Sequence, residues 1–261
     1  MKLSIVSLNY NRLEYTKRHL ERLFLTTDMP SELIIVSNHD CAQSAEVRSY
    51  IKQFKSKNNG NIKQIKKVLN NKNYGVAGGR NSGLIHSEAK IKMVIDDDIL
   101  LPKNWTSKIL HLLKVVDKIG LAGYCVEKER AVKTYKLKTY RDCVFMNKGM
   151  ANVGGACMVI PHRTWSRLGY FNEDYGVFGF EDADYGVRTW NLGLLNAYVY
   201  PERGTQMKDL EPPKEYKIWK KGIYDSPRLR KLYADNLLKY HSKKGLFIGE
   251  KKLRNKCFDL H

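Results

Sequence analysis

Apolar residues along this chain fall into two alternating patterns. Short blocks that read as strands occur at residues 3–8, 33–36, 62–69 and 92–95, apolar throughout at 33–36 and interrupted most at 62–69, by Lys63, Gln64, Lys66 and Lys67. Between them, apolar positions recur at helical spacing, as in Leu13, Leu20, Leu23 and Phe24. Continuous blocks of four to eight residues suit strands buried on both faces, and the spaced pattern suits amphipathic helices. The order predicts β-α-β-α-β-α-β, with helices after residue 11, over 42–55 and starting within 73–84. Such alternation implies a mostly parallel sheet covered by helices.

Further along, Pro102-Lys103-Asn104-Trp105 starts a helix running through Lys114, and residues 120–126 read as another strand. Residues 131–147 alternate loosely (Val132, Tyr135, Leu137, Tyr140, Val144) and predict antiparallel strands. A strand over 154–161 begins at Gly154-Gly155, where missing side chains permit close approach. A short helix over 162–168 follows, and a second begins near Glu181. From Pro201 on, Pro and Gly interrupt Lys-rich stretches that carry Tyr216, Trp219, Tyr224, Tyr233 and Tyr240. Residues 229–238 have helical spacing, and a basic tail closes the chain. The expected division is one unit over 1–205, in two parts that meet at about 126, then a basic helical extension over 206–261.

Polar residues cluster where the strands end. The fourth block runs Lys92-Met93-Val94-Ile95 into Asp96-Asp97-Asp98. Adjacent carboxylates repel, so a fold keeps them together only if something positive offsets the repulsion. A hard cation with oxygen ligands and substrate phosphates is one candidate. Ser7 to Tyr10 and Ser37 to Asp40 sit at the corresponding ends of the first two strands, where ligands of parallel sheets bind. The stretch 73–84 combines Gly75, Gly78, Gly79 and Gly83 with Arg80. Close backbone approach and a guanidinium at a helix start both favour a phosphate. A second acidic cluster, Glu181-Asp182-Ala183-Asp184, reads either as a helix cap with an Asp184–Arg188 pair one turn on or as a source of a general base.

Charge narrows the partners. Lys and Arg number 46 against 27 Asp and Glu, a net +19, and a field of that sign favours an anionic membrane face, DNA or phosphorylated substrates over a neutral partner. The plainer alternative is a solvated Lys-rich surface. No apolar run reaches the length of a membrane span, and Met1-Lys2 leads into a strand without a signal-peptide pattern. A cytoplasmic location, soluble or peripheral to the membrane, is therefore expected. Five cysteines with no CxxC spacing suit reduced thiols better than disulfides or a zinc site.

The order Asn9-Tyr10-Asn11, Asn73-Tyr74-Gly75 through Arg80-Asn81, Asp96-Asp97-Asp98 and Glu181-Asp182 resembles the GT-A nucleotide-sugar glycosyltransferases of family 2. The resemblance spans about residues 1–205 and implies a catalytic domain there, with a donor half to about 126 and an acceptor half from 127. Asp96-Asp97-Asp98-Ile99 and Asp182-Ala183-Asp184-Tyr185-Gly186 are also similar to bacterial galactofuranosyltransferases within it. It implies a Rossmann-like, mostly parallel α/β sheet with a small antiparallel acceptor-side sheet, and an inverting glycosyltransferase using Mn²⁺ or Mg²⁺. By the same resemblance Asp98 binds the metal, Asp96 the ribose side with a share in the metal, and Asp97 either. Leu8, Asn9, Tyr10, Asn38 and Asp40 hold the nucleotide base, with Gly75 and Arg80 near the phosphates. Asp182 is the implied base for the acceptor hydroxyl. Gly154, Gly155 and Glu181 support the acceptor side, and Asp184 with Arg188 orients that helix.

Two positions depart from the family pattern. Ser37 occupies the place where the family commonly has an Asp for uracil, so a UDP-sugar donor is expected without that contact. A His ligand usual some two dozen residues after the base is missing from Gly204-Thr205-Gln206-Met207, which leaves the Gln206 amide oxygen as a candidate ligand. The expected acceptor is a lipid-linked or surface glycan. The alternatives are hydroxymethylated bases of phage DNA, or a basic nucleic-acid-binding protein with no enzymatic activity.

Overall fold

A computed structural model describes residues 1–39, 41–55, 60–126, 136–149, 153–207 and 226–243. Its first half follows the predicted alternation: β1 (Leu3–Asn9), α1 (Leu13–Thr26), β2 (Ser31–Asn38), α2 (Ala42–Gln53), β3 (Ile62–Asn70), α3 (Gly75–Leu84) and β4 (Ile91–Asp96). Then come β5 (Ile99–Leu100), α4 (Trp105–Val115), β6 (Ile119–Cys125), β7 (Lys136–Tyr140), β8 (Cys143–Gly149), β9 (Cys157–Ile160) and α5 (His162–Leu168). A 3₁₀ turn at Glu173–Tyr175 leads to α6 (Glu181–Asn191), β10 (Leu195–Arg203), β11 (Thr205–Gln206) and α7 (Pro227–Lys243).

One nine-stranded sheet organises the molecule, in the order β3-β2-β1-β4-β9-β6-β10-β8-β7. The strands β3, β2, β1 and β4 are all parallel. β9 enters antiparallel between β4 and β6, and β10 runs parallel to β6. The antiparallel strands expected over 131–147 are β7 and β8, where described. They extend the edge of this same sheet, because β8 pairs with β10. A separate antiparallel sheet joins only β5 and β11.

Every residue of β1 and β2 is buried, because helices cover both faces of the sheet. Alternation along the pleat divides the core in two. Leu3, Ile5, Leu33, Ile35, Met93 and Ile95 point to the face packed by Leu20 and Leu23 of α1, Ile51 of α2 and Ile109 of α4. Val6, Leu8, Ile34, Val36 and Val94 point to the other, packed by Ala77 and Leu84 of α3, Leu168 of α5 and Tyr185 of α6.

Those glycines of α3 have a packing cause. A Cβ on Gly83 would lie 2.4 Å from Val6 Cγ1 and 2.7 Å from Val36 Cγ2, and one on Gly79 would lie 2.6 Å from Leu8 Cδ1. The helix therefore rests its backbone directly on β1 and β2. Among the described residues, no helix is long and apolar enough to cross a membrane.

Candidate active site

β2 and β3 lie on one side of β1 and β4 on the other, so the chain reverses its direction of travel across the sheet between β1 and β4. Crevices at such switch points are where open α/β sheets bind ligands. Leu8 pairs in register with Asp96 there, and the Tyr10 N–H donates to Asp97 Oδ2 at 3.2 Å.

Two arginines offset the three aspartates. Arg12, just before α1, reaches Asp97 Oδ1 and donates to Asp98 Oδ2 at 3.1 Å. Asp97 is 1% exposed and its Oδ2 also accepts from Thr16, so it is committed to protein partners. Burial pushes its carboxyl up to about 7, with Asp98 and Asp96 adding and Arg12 opposing. Asp96 is raised as well, by burial first, with Arg80 acting against it.

Arg80, 2% exposed, is the centre of the site. Its guanidinium donates to Asp96 Oδ1, Glu181 Oε1 and the Gly155 carbonyl, each at 2.9 Å. A Cβ on Gly155 would lie 2.5 Å from Arg80 Nη1, which is why that position has no side chain. The expectation of an arginine facing phosphate meets a guanidinium already engaged by two carboxylates. Arg80 instead joins the end of β4 to the start of α6.

α6 is preceded by Phe180, its N-cap, held in the left-handed region at φ 70°. Glu181 Oε2 accepts from Gly179 N–H at 3.0 Å, and burial beside Asp182 pushes the Glu181 carboxyl up against the opposing Arg80. Asp182 accepts from Gly155 N–H at 2.8 Å through Oδ2 and from Ala183 N–H at 2.7 Å through Oδ1. One turn on, Asp184 and Arg188 form a buried pair at 2.9 Å, with the Tyr175 hydroxyl donating to Asp184 Oδ1 at 3.2 Å. That pair is the structural one the spacing allowed. Gly154 N–H donates to the Tyr198 hydroxyl at 3.0 Å.

The remaining expected residues divide. Asn38 is spent on fixing α3 to β2: its amide donates to Asn73 Oδ1 and the Gly75 carbonyl, and its oxygen accepts from Tyr74 N–H and Asn70. Asn9 Nδ2 donates to the Ser7 and Val36 carbonyls, while its Oδ1 and the neighbouring Ser37 hydroxyl are buried with no hydrogen-bond partner among the described residues. Gly75 packs against Gly176, where a Cβ would lie 2.2 Å from the carbonyl oxygen. Asp40 lies outside the described residues, as do Val132, Tyr135, Tyr216, Trp219, Tyr224 and the basic tail. The sequence reading missed Arg12, although a cation following the first strand was available as the charge the aspartates require. Asn81, quoted in the motif without a role, bonds the Phe171 backbone and Glu173.

The donor set suits a hard divalent cation. Asp98 Oδ1 is buried with no hydrogen-bond partner among the described residues, and the ligands at hand are oxygens. Asp98 is the best-placed holder, with Asp96 beside it. Gln206 is brought to Asp98 by the β5–β11 pairing, but its amide nitrogen donates to Asp98 Oδ2 at 3.1 Å, so it supports the carboxylate instead of presenting its oxygen there. Another close group of possible ligands, His111, Asp142 and Cys143, contains none of these residues. The four described cysteines are free thiols.

A family model described as glycosyl transferase family 2 matches residues 4–174. No curated protein matches the chain. Among solved structures, the chain is similar to a mannosyltransferase from Pyrobaculum calidifontis in complex with GDP-Man and Mn²⁺, with TM-score 0.59 and 16% identity over 84% of this chain and 59% of that one. It is similar to GalNAc-T7 with UDP, GalNAc and Mn²⁺ at TM-score 0.59 and 14% identity, over 79% of this chain and 44% of the other. Residues 1–349 of S. aureus TarS align at TM-score 0.57 and 15% identity, over 97% of this chain and 76% of that. The chain thus spans about half the length of the first two, and all three share the GT-A fold.

Proposed function

The chain belongs to glycosyl transferase family 2, and on that premise we propose that it is a metal-dependent, inverting glycosyltransferase. It moves a sugar from a nucleotide-diphosphate sugar, most simply a UDP-sugar, to an acceptor hydroxyl. The observation that carries this reading is the single hydrogen-bonded network running from Asp96 through Arg80 to Glu181, with Asp182 tied to Gly155 in the same cluster. Donor-side and acceptor-side carboxylates are thereby held in one frame. Two solved relatives in fold bind Mn²⁺ together with a nucleotide or nucleotide sugar.

In the proposed reaction the acceptor oxygen attacks the anomeric carbon and its proton passes to the Asp182 carboxylate. The bond from that carbon to the diphosphate breaks, and the nucleotide diphosphate departs with the electron pair. One displacement inverts the anomeric centre. Mn²⁺ or Mg²⁺ held by Asp98 and Asp96 would supply charge neutralisation for the leaving diphosphate. Asp182 has both oxygens held by backbone N–H groups, which fixes its direction. Arg12 keeps Asp97 in place, and Tyr10 ties the first strand's end to it.

The acceptor that fits best is a lipid-linked or surface glycan met at the cytoplasmic membrane face. The net charge of +19 and exposed Arg228, Arg230 and Lys231 on α7 favour an anionic surface, at about 1 kcal/mol per basic residue near it. The same charge favours a second reading, transfer to modified bases of phage DNA, which requires the base to leave the stack. A donor panel measuring nucleotide diphosphate release with Mn²⁺ or Mg²⁺ tests the reaction. Asp182→Asn should lower turnover by about 10²- to 10⁴-fold with donor binding kept, and Asp98→Ala should abolish the metal response. If no nucleotide sugar is bound or hydrolysed, the reading fails. Salt-sensitive retardation of duplex DNA, set against flotation with anionic liposomes, separates the two acceptors.

A further inference from the structure

α7 lies beyond the matched family region, and one of its faces is devoted to a single loop. The contacting positions are Leu232, Tyr233, Asn236, Lys239 and Tyr240, a spacing that puts them on one side of a helix. The loop is residues 174–180, which leads directly into Glu181 and Asp182. Asn236, 1% exposed, donates to the Tyr175 carbonyl at 2.6 Å and the Phe178 carbonyl at 3.1 Å. Lys239 donates to the Asp174 carbonyl. Tyr233 and Tyr240 pack on the Phe180 ring, with centroids 5.1 and 5.4 Å away. Leu232 Cδ1 comes within 3.8 Å of where a Gly176 Cβ would stand.

The loop needs such support. Gly176, Gly179 and Phe180 all have positive φ, at 69°, 100° and 70°, and a bulky residue such as Phe is costly there. A backbone wound this way makes few ladder bonds of its own. On its inner side Val76 N–H donates to the Val177 carbonyl at 2.9 Å, which anchors it to α3. Its outer carbonyls at 174, 175 and 178 are taken by α7.

We propose that α7 clamps the loop that leads into α6 and Asp182, and that Asn236 is the positioning residue through which it sets the transfer rate. The inference rests on Asp182 being the base of the proposed reaction. Asn236 touches neither donor nor acceptor. It acts by holding two consecutive turns of the loop at one distance from the end of β4, so that releasing it lets Asp182 drift. A displacement of the order of 1 Å in a reacting group can lower a rate by about 10²-fold.

The test uses the full chain and two readouts. Asn236→Leu keeps the branched side-chain skeleton and removes both donors, Asn236→Gln keeps the amide one methylene farther out, and Tyr233→Ala removes one ring from Phe180. Hydrogen exchange should accelerate in Asn236→Leu by about tenfold to a hundredfold within 174–184 and stay unchanged in β1 to β4. The nucleotide-release assay should show kcat reduced about tenfold to a hundredfold at an unchanged donor KM, with partial recovery in Asn236→Gln. Tyr233→Ala should give a smaller change in the same segment, and serves if Asn236→Leu does not fold. Unchanged exchange within 174–184, or an undiminished kcat in an enzyme that turns over, overturns the clamp. A native protein inactive on every nucleotide sugar would count against the proposed reaction, while the exchange measurement still decides the clamp.

Discussion

Replacing Arg80 by methionine removes one guanidinium and strands three acceptors: Asp96 Oδ1, Glu181 Oε1 and the Gly155 carbonyl. Glu181 is nearly as buried as Arg80, so solvent replaces little of what is lost at that carboxylate. Breaking a buried pair by removing one partner costs about 3–5 kcal/mol, a large fraction of the roughly 5–15 kcal/mol that holds a domain folded. Asp96, whose side chain is 32% exposed, recovers part of its share from water, so the lower half of that range applies. The loss should depend on pH. Arg80 opposes protonation of both Asp96 and Glu181, so without it both carboxyls take up protons more readily. Protonation removes the uncompensated charge, and the destabilisation should shrink as pH falls from 8 to 5. Urea unfolding of Arg80→Met, Glu181→Gln and the double variant at both pH values measures this. The double variant should recover about 0.5–3 kcal/mol relative to additivity. A loss in Arg80→Met below about 1 kcal/mol at pH 8, or one independent of pH, would refute the bridge as the link between the two halves. Arg80→Lys should not restore it, since an ammonium cannot present three donors in the fork that these acceptors match.

Two further outcomes follow from burial. Gly83→Ala should gain about 1 kcal/mol in helix propensity but lose about 1–3 kcal/mol to overpacking against Val6 and Val36, whose β-branched side chains have little freedom to give way; a net loss by urea unfolding is expected, and a gain would show that α3 does not rest on the strands. His19 is fully buried, and burial pushes its imidazole down to about 4, against the Ile99 carbonyl contact and Asp98, which both favour the charged ring. The folded chain thus keeps this ring neutral while the unfolded chain protonates it near pH 6.5. Its contribution is whole above pH 6.5 and is lost as pH falls toward 4, by up to about 3 kcal/mol; His19→Gln should flatten that part of the stability profile, and an unaltered slope would assign the acid loss to other groups.

The strands were legible because a strand buried on both faces must be apolar almost throughout: residues 33–36 and 93–95 are, and only the small Ser4 and Ser7 interrupt 3–8. Their true ends reach further, to Ser31 and Asn38 in β2, since backbone pairing continues through polar residues that periodicity ignores. The position of the triple Asp and of Asp182 was also readable, from carboxylates placed after an apolar run and at a helix start. What the glycines of α3 face was not readable: the same residues serve a phosphate cradle or a helix lying on a sheet, and only the contacts with Val6, Leu8 and Val36 distinguish them. Arg12 was overlooked because its partners lie 85 and 86 residues away. α7 was predicted as a helix, but helical spacing does not reveal which face finds a partner, so its attachment to 174–180 had no sequence signal.

The place of β9 in the sheet has a consequence for how the chain is made. β4 ends at Asp96, yet its outer neighbour is β9, which begins at Cys157. During synthesis the edge of β4 therefore waits for roughly sixty residues to be added, some 3–12 seconds at ordinary elongation rates. Over that interval the nascent chain exposes a strand with an unpaired backbone and an apolar run, a template for joining another nascent copy. Three carboxylates follow that strand at Asp96-Asp97-Asp98, and like charges brought opposite one another disfavour in-register pairing of two copies.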